Sequence, residues 1–172
     1  GVFLAALSLG YHRGGKRAAE NASHSRLIAV FLATGLYVAG IVLFGDLIVQ
    51  STGVLPLPSR FVSLPAITIL FGPPTYLLGY VSPYAAELAG GDVGATAGHV
   101  YALGTIGSIV GAFATTYVLV PALSIPQIGL VLGLSAVVAA AAVAAPEFAD
   151  GSGLRVGGVA AALIVAAAVG GI

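Results

Sequence analysis

Apolar residues in this chain run in unbroken blocks rather than alternating, and most of the blocks approach the length of a membrane crossing. About 20 apolar residues in a helix cover a hydrocarbon core of roughly 30 Å. The pattern predicts a polytopic, all-α transmembrane helix bundle of about six spans. The first is truncated, the tail of a span over 1–10. The others cover 27–49, 61–86, 97–123, 128–145 and 156–172. Continuous blocks point to helices and not to a barrel, whose strands alternate apolar and polar positions.

The polar residues collect between the blocks. Arg13, Lys16, Arg17 and Arg26 fall in 11–26, Arg60 in 50–60, Glu87 and Asp92 in 87–96, and Glu147, Asp150 and Arg155 in 146–155. Alternate connections therefore carry five cations on one side and one on the other. The positive-inside rule places the loops 11–26, 87–96 and 146–155 in the cytoplasm of a protein integral to the cell (plasma) membrane. Both ends of the sequence lie inside apolar blocks and no Met occurs, so a fragment of a longer chain, one domain over 1–172, is expected.

Composition sharpens the class. Of 172 residues, 59% are hydrophobic and 7% charged, against roughly a quarter charged in soluble domains. Mean hydropathy is +1.09. Six Lys/Arg balance six Asp/Glu, so no basic field is present for nucleic acid, and no Cys supplies a thiolate ligand or nucleophile. The expected partner is the lipid bilayer.

Proline and glycine mark the candidate packing features. Pro73, Pro74 and Pro83 interrupt the third block. Proline removes a backbone donor and crowds the preceding turn, so a helix break is expected in this span, tolerated where protein or water satisfies the freed carbonyls. In the fourth block Gly104, Gly107, Ser108, Gly111 and Thr115 make a face of small residues suited to close helix packing. Packing within the bundle, a homo-oligomer interface and a sliding seam all remain open for it. Gly129 and Gly133 form a weaker pair.

The candidate chemistry is sparse. Tyr76, Tyr80 and Tyr84 stand four apart, on roughly one helical face, with Glu87 three residues on. Such a column ending in a carboxylate suits an organic cation through cation–π and charge contacts. Tyrosines at a membrane boundary equally serve as interface anchors, with the glutamate solvated. Asp46 is the acid within an otherwise apolar span, a costly and often functional placement, but it lies near the outer end and within reach of water. His12, His24 and His99 do not assemble a metal site by spacing. Gly14-Gly15-Lys16-Arg17 lacks the strand and spacing of a phosphate loop. No catalytic, metal or cofactor-binding residue is expected.

Three stretches together resemble a known family: Gly10-Tyr-His-Arg-Gly14-Gly15-Lys-Arg-Ala18, Gly72-Pro-Pro-Thr-Tyr-Leu-Leu-Gly79-Tyr-Val-Ser82-Pro83-Tyr84-Ala85, and the segment from Val93-Gly94 through His99, Tyr101 and Gly107-Ser108 to Gly111, with Pro121 beyond. In this order they resemble the membrane-embedded region of spermidine synthase-like fusion proteins. Ala19 and Ala95 depart from the family's pattern. The resemblance implies a non-catalytic domain that anchors a soluble aminopropyltransferase-like domain of the same protein and handles a small polyamine-like substrate. That partner domain has no counterpart in these residues. Two other readings stand beside it: a stand-alone transporter-like bundle for a small organic cation or metabolite, and a structural subunit packed through small-residue faces.

Overall fold

The computed structural model describes residues 1–53, 61 and 63–144. Among them the chain is all-helical: α1 Val2–Asn21, α2 His24–Gly53, α3 Ser63–Leu78, α4 Val81–Ala89, α5 Val93–Ala114, α6 Val120–Ala122 and α7 Ile125–Ala144. A π-helical turn, Thr115–Leu119, joins α5 to α6. Four helical stretches are long and apolar enough to cross a membrane: His24–Gly53, Ser63–Ala89, Gly94–Ala122 and Ile125–Ala144.

The expected six spans are therefore corrected to four among the described residues. The block at 156–172 lies outside them, as does the loop 146–155. The block at 1–10 is no stub followed by a loop. Helix α1 runs on through Arg13, Lys16 and Arg17 to Asn21, leaving only 22 and 23 between α1 and α2. Its charges resemble those of a connection, but they stand on a helix whose other face is small: Gly10, Gly14 and Ala18, spaced by four, are its buried residues.

The proline break is also relocated. Pro73 and Pro74 lie inside α3, and the helix continues through them to Leu78. The chain turns at Gly79 and Tyr80, where the Tyr80 N–H donates to the Leu77 carbonyl at 3.0 Å. A proline ring crowds the carbonyl four residues earlier. For Pro83 that residue is Gly79, so the break falls one turn before the proline responsible. Pro83 itself sits in the first turn of α4, where a missing donor costs little. At Pro73 the carbonyl left without its helical partner belongs to Ile69, and the Tyr37 hydroxyl of α2 donates to it at 2.5 Å.

Helix α3 lies between α1 and α2, and α7 packs on α2. The α1–α3/α4 seam runs in parallel. The rings of Phe3 and Phe71 are 5.4 Å apart, Gly10 meets Tyr76 and Gly79, and Gly14 meets Tyr80 and Pro83. A Cβ on Gly79 would stand 2.8 Å from Gly10 Cα and from the Leu7 carbonyl oxygen. Only hydrogen fits there, which is how helices associate where lipid removes the hydrophobic drive between them. The α2–α7 seam uses Gly133, whose added Cβ would lie 3.4 Å from the Gly35 carbonyl oxygen, and Gly129, whose Cβ would come 2.7 Å from Val42 Cγ2. The weaker glycine pair of the sequence thus seats a helix.

The stronger-looking pattern does not. Gly104, Gly107, Ser108 and Gly111 are exposed and Thr115 is half-buried. A Cβ on Gly104, Gly107 or Gly111 meets nothing within 4 Å. Helix α5 touches the rest of the described residues chiefly through α4 and the π turn, so this face has no partner among them.

Candidate functional site

Two regions carry polar chemistry: the tyrosine column and a lateral groove. The column begins at the end of α3 and continues across the turn into α4. Tyr84 and Tyr80 are 2% and 5% exposed, packed with Ala18 and Leu27 in one apolar cluster. Tyr76 is half-buried. The hydroxyls of Tyr76 and Tyr80 stand 2.6 Å apart in a hydrogen bond. Their rings meet edge-on with centroids 5.4 Å apart, and the Tyr80 and Tyr84 rings follow at 6.2 Å.

The cations facing this column belong to the chain itself. The Arg17 guanidinium donates to the Tyr80 hydroxyl at 3.5 Å. The Arg13 guanidinium carbon lies 5.9 Å from the Tyr76 ring centroid, within cation–π range. The neighbouring Tyr76 holds the Arg13 pKa above its ordinary value. The seam sets this register: with Gly10 and Gly14 against α3 and α4, Arg13 and Arg17 flank the glycine face and reach the tyrosines. Glu87, expected near the foot of the column, is exposed on α4, and no side chain pairs with it among the described residues.

In the sequence the two arginines read only as part of a basic loop. The available signal is Gly10, Gly14 and Ala18 at helical spacing through that stretch.

The groove follows from the helix order. Helices α3 and α7 both pack on α2 but hardly on each other, and a cavity of about 720 Å³ remains between them. Phe31, Val38, Leu70, Phe71, Pro74 and Leu132 are among its walls, and Asp46 also lines it. Its other polar lining residues include Thr34 and Ser135, whose hydroxyls donate back to their own helices, to the Val30 and Leu132 carbonyls, each at 2.8 Å. The structure thus separates Asp46, in the groove, from Tyr76, Tyr80 and Tyr84, in the α1–α3/α4 seam.

No group of three or more His, Cys, Asp or Glu side chains able to hold a metal is found among the described residues. Set against known protein families, curated proteins and solved structures, the chain matches none.

Proposed function

We propose that this chain is the non-catalytic membrane domain of a spermidine synthase-like protein and that it anchors a soluble aminopropyltransferase-like domain at the cytoplasmic face. The interlock of two motif segments carries this reading. Gly10, Gly14 and Ala18 of the first seat against Tyr76, Gly79, Tyr80 and Tyr84 of the second, and Arg13 and Arg17 complete the junction. Residues of the first two stretches on which the resemblance rests thus join α1 to α3 and α4, as expected of a motif that defines a scaffold.

The location of this junction suits an anchor. It lies at the end of the bundle where α1 gives way to α2. The last turn of α7 reaches the same end, since Val143 packs on the Tyr80–Tyr84 cluster. Basic residues and tyrosines concentrated there mark a cytoplasmic interface by the positive-inside and aromatic-belt rules. With Arg13 and Arg17 already facing the tyrosines, the column works as an internal lock, and anchoring is favoured over polyamine handling.

The deciding experiment is to read the coding sequence downstream of Ile172. A glycine-rich nucleotide-binding domain there supports the reading. A stop codon directly after Ile172 overturns it.

A further inference from the structure

We propose that the groove between α2, α3 and α7 binds a single-chain amphipathic amine, its ammonium group on the Asp46 carboxylate and its hydrocarbon tail along Phe31, Leu70, Phe71, Pro74 and Leu132. The carboxylate end of the site stands apart from the anchoring role: Asp46 and Leu132 lie away from the α1–α3/α4 junction, while Phe31 and Phe71 are shared with it, packing on the Tyr80–Tyr84 cluster and on Phe3.

Size and lining set the class of ligand. A volume of about 720 Å³ falls within the roughly 300–1,000 Å³ of small-molecule sites. The walls are mostly apolar: the hydroxyls of Thr34 and Ser135 are spent on their own helices, and Thr75 adds one further hydroxyl. A hydrophilic polyamine would leave its further charges against Phe and Leu without partners, which burial penalises heavily. A hydrocarbon tail meets no such penalty.

Charge sets the head group. Asp46 is the one charged residue among those lining the groove. It forms no hydrogen bond or ion pair with the other described residues. Its depth fits an interfacial head. From Arg26, the last cation before the apolar stretch of α2, Asp46 is 20 residues on. At 1.5 Å per residue that is about 30 Å, one hydrocarbon thickness, so Asp46 reaches the opposite head-group level. An unpaired carboxylate there attracts an ammonium group. A phospholipid head would bring its phosphate against the same carboxylate, with no lining cation to receive it, and a neutral lipid would leave the carboxylate unused.

The test uses the full chain in nanodiscs of uncharged lipid, with a long-chain primary amine carrying a mid-chain diazirine as the probe. The alcohol of the same length carrying the same diazirine is the control. After photolysis, cross-links are mapped by mass spectrometry. The amine is expected to label Phe31, Leu70, Pro74 or Leu132. Asp46→Asn should cut that labelling about tenfold, the factor a charge-assisted hydrogen bond commands. Ala136→Phe, which fills the groove, should abolish it. Glu87→Gln, outside the groove, should leave it unchanged. Equal labelling by amine and alcohol on the native chain, labelling insensitive to Asp46→Asn, or cross-links confined to α5 would each overturn the proposal, leaving simple partition into lipid. The amine–alcohol comparison needs no variant, so it decides the matter even where Ala136→Phe misfolds.

Discussion

The Tyr37 hydroxyl on α2 donates to the Ile69 carbonyl on α3 at 2.5 Å, the acceptor that Pro73, four residues on, has no N–H to reach. One helix thereby repairs the backbone of its neighbour at a depth where water is scarce. Tyr37→Phe is expected to cost about 1 kcal/mol of stability, the usual worth of one such bond in a membrane helix pair. Pro73→Ala restores the helical donor, so the same Tyr37→Phe change in that background should cost much less. Thermal melts in detergent of the four members of the cycle measure the difference. A phenylalanine that costs the same in both backgrounds contradicts the repair.

The seam glycines and the α5 glycines should respond in opposite ways. A Cβ on Gly79 collides with the Gly10 backbone, so Gly79→Leu is expected to cost more than about 3 kcal/mol and to cause aggregation, the upper range for overpacking. Gly107 has open space around it, and Gly107→Leu should leave the melting temperature of the monomer unchanged. Size-exclusion profiles after heating compare the two. Loss of larger species in Gly107→Leu alone would identify the α5 face as a contact between copies.

Orientation is directly measurable because the chain contains no cysteine. Ser25→Cys, at the α1–α2 end, should react with an impermeant maleimide only from the cytoplasmic side. Ser124→Cys, between α6 and α7, should react only from outside. Labelling intact cells before and after permeabilisation reads both, and the reverse pattern inverts the assignment.

Asp92 caps α5. Its carboxylate accepts from the N–H groups of Gly94 at 2.9 Å and Ala95 at 3.1 Å. Asp92→Ala should cost about 1 kcal/mol, as for other N-cap removals. With few tertiary contacts on α5, the loss should remain local. Faster amide exchange over the first turn of α5, with α2 and α7 unaffected, is the expected result in a deuterium-exchange experiment.

Much of the architecture can be read from hydropathy: α2, the joined α3–α4 stretch, the α5–α6 stretch and α7 all follow apolar blocks. The departures share one cause. A residue's character suggests a role, whereas the role depends on what lies opposite. Arg13 and Arg17 suggest a loop, but a helix with a glycine face toward Gly79 can carry them beside Tyr76 and Tyr80. Pro73 and Pro74 suggest a break, but Tyr37 satisfies the carbonyl at Ile69, and the turn comes at Gly79. Gly107 and Gly111 suggest a packed groove, and Gly129 with Gly133 looks ordinary. Only the second pair faces a neighbour among the described residues. Spacing shows that a helix can be approached closely, and the partner is set by tertiary order. Asp46 is visible as an acid in an apolar span. The cavity beside it is not, because it arises where α3 and α7 fail to meet.

The placement of α3 between α1 and α2 has a consequence for biogenesis. The first two helices are joined by only two residues, yet each has its main partners elsewhere, and α1's lie in α3 and α4. During synthesis the glycine-lined side of α1 therefore stays bare until α3 and α4 have been made and delivered beside it. Ribosome-stalled intermediates that end before Gly79 should accordingly cross-link to the insertion machinery for longer than those that end beyond Tyr84.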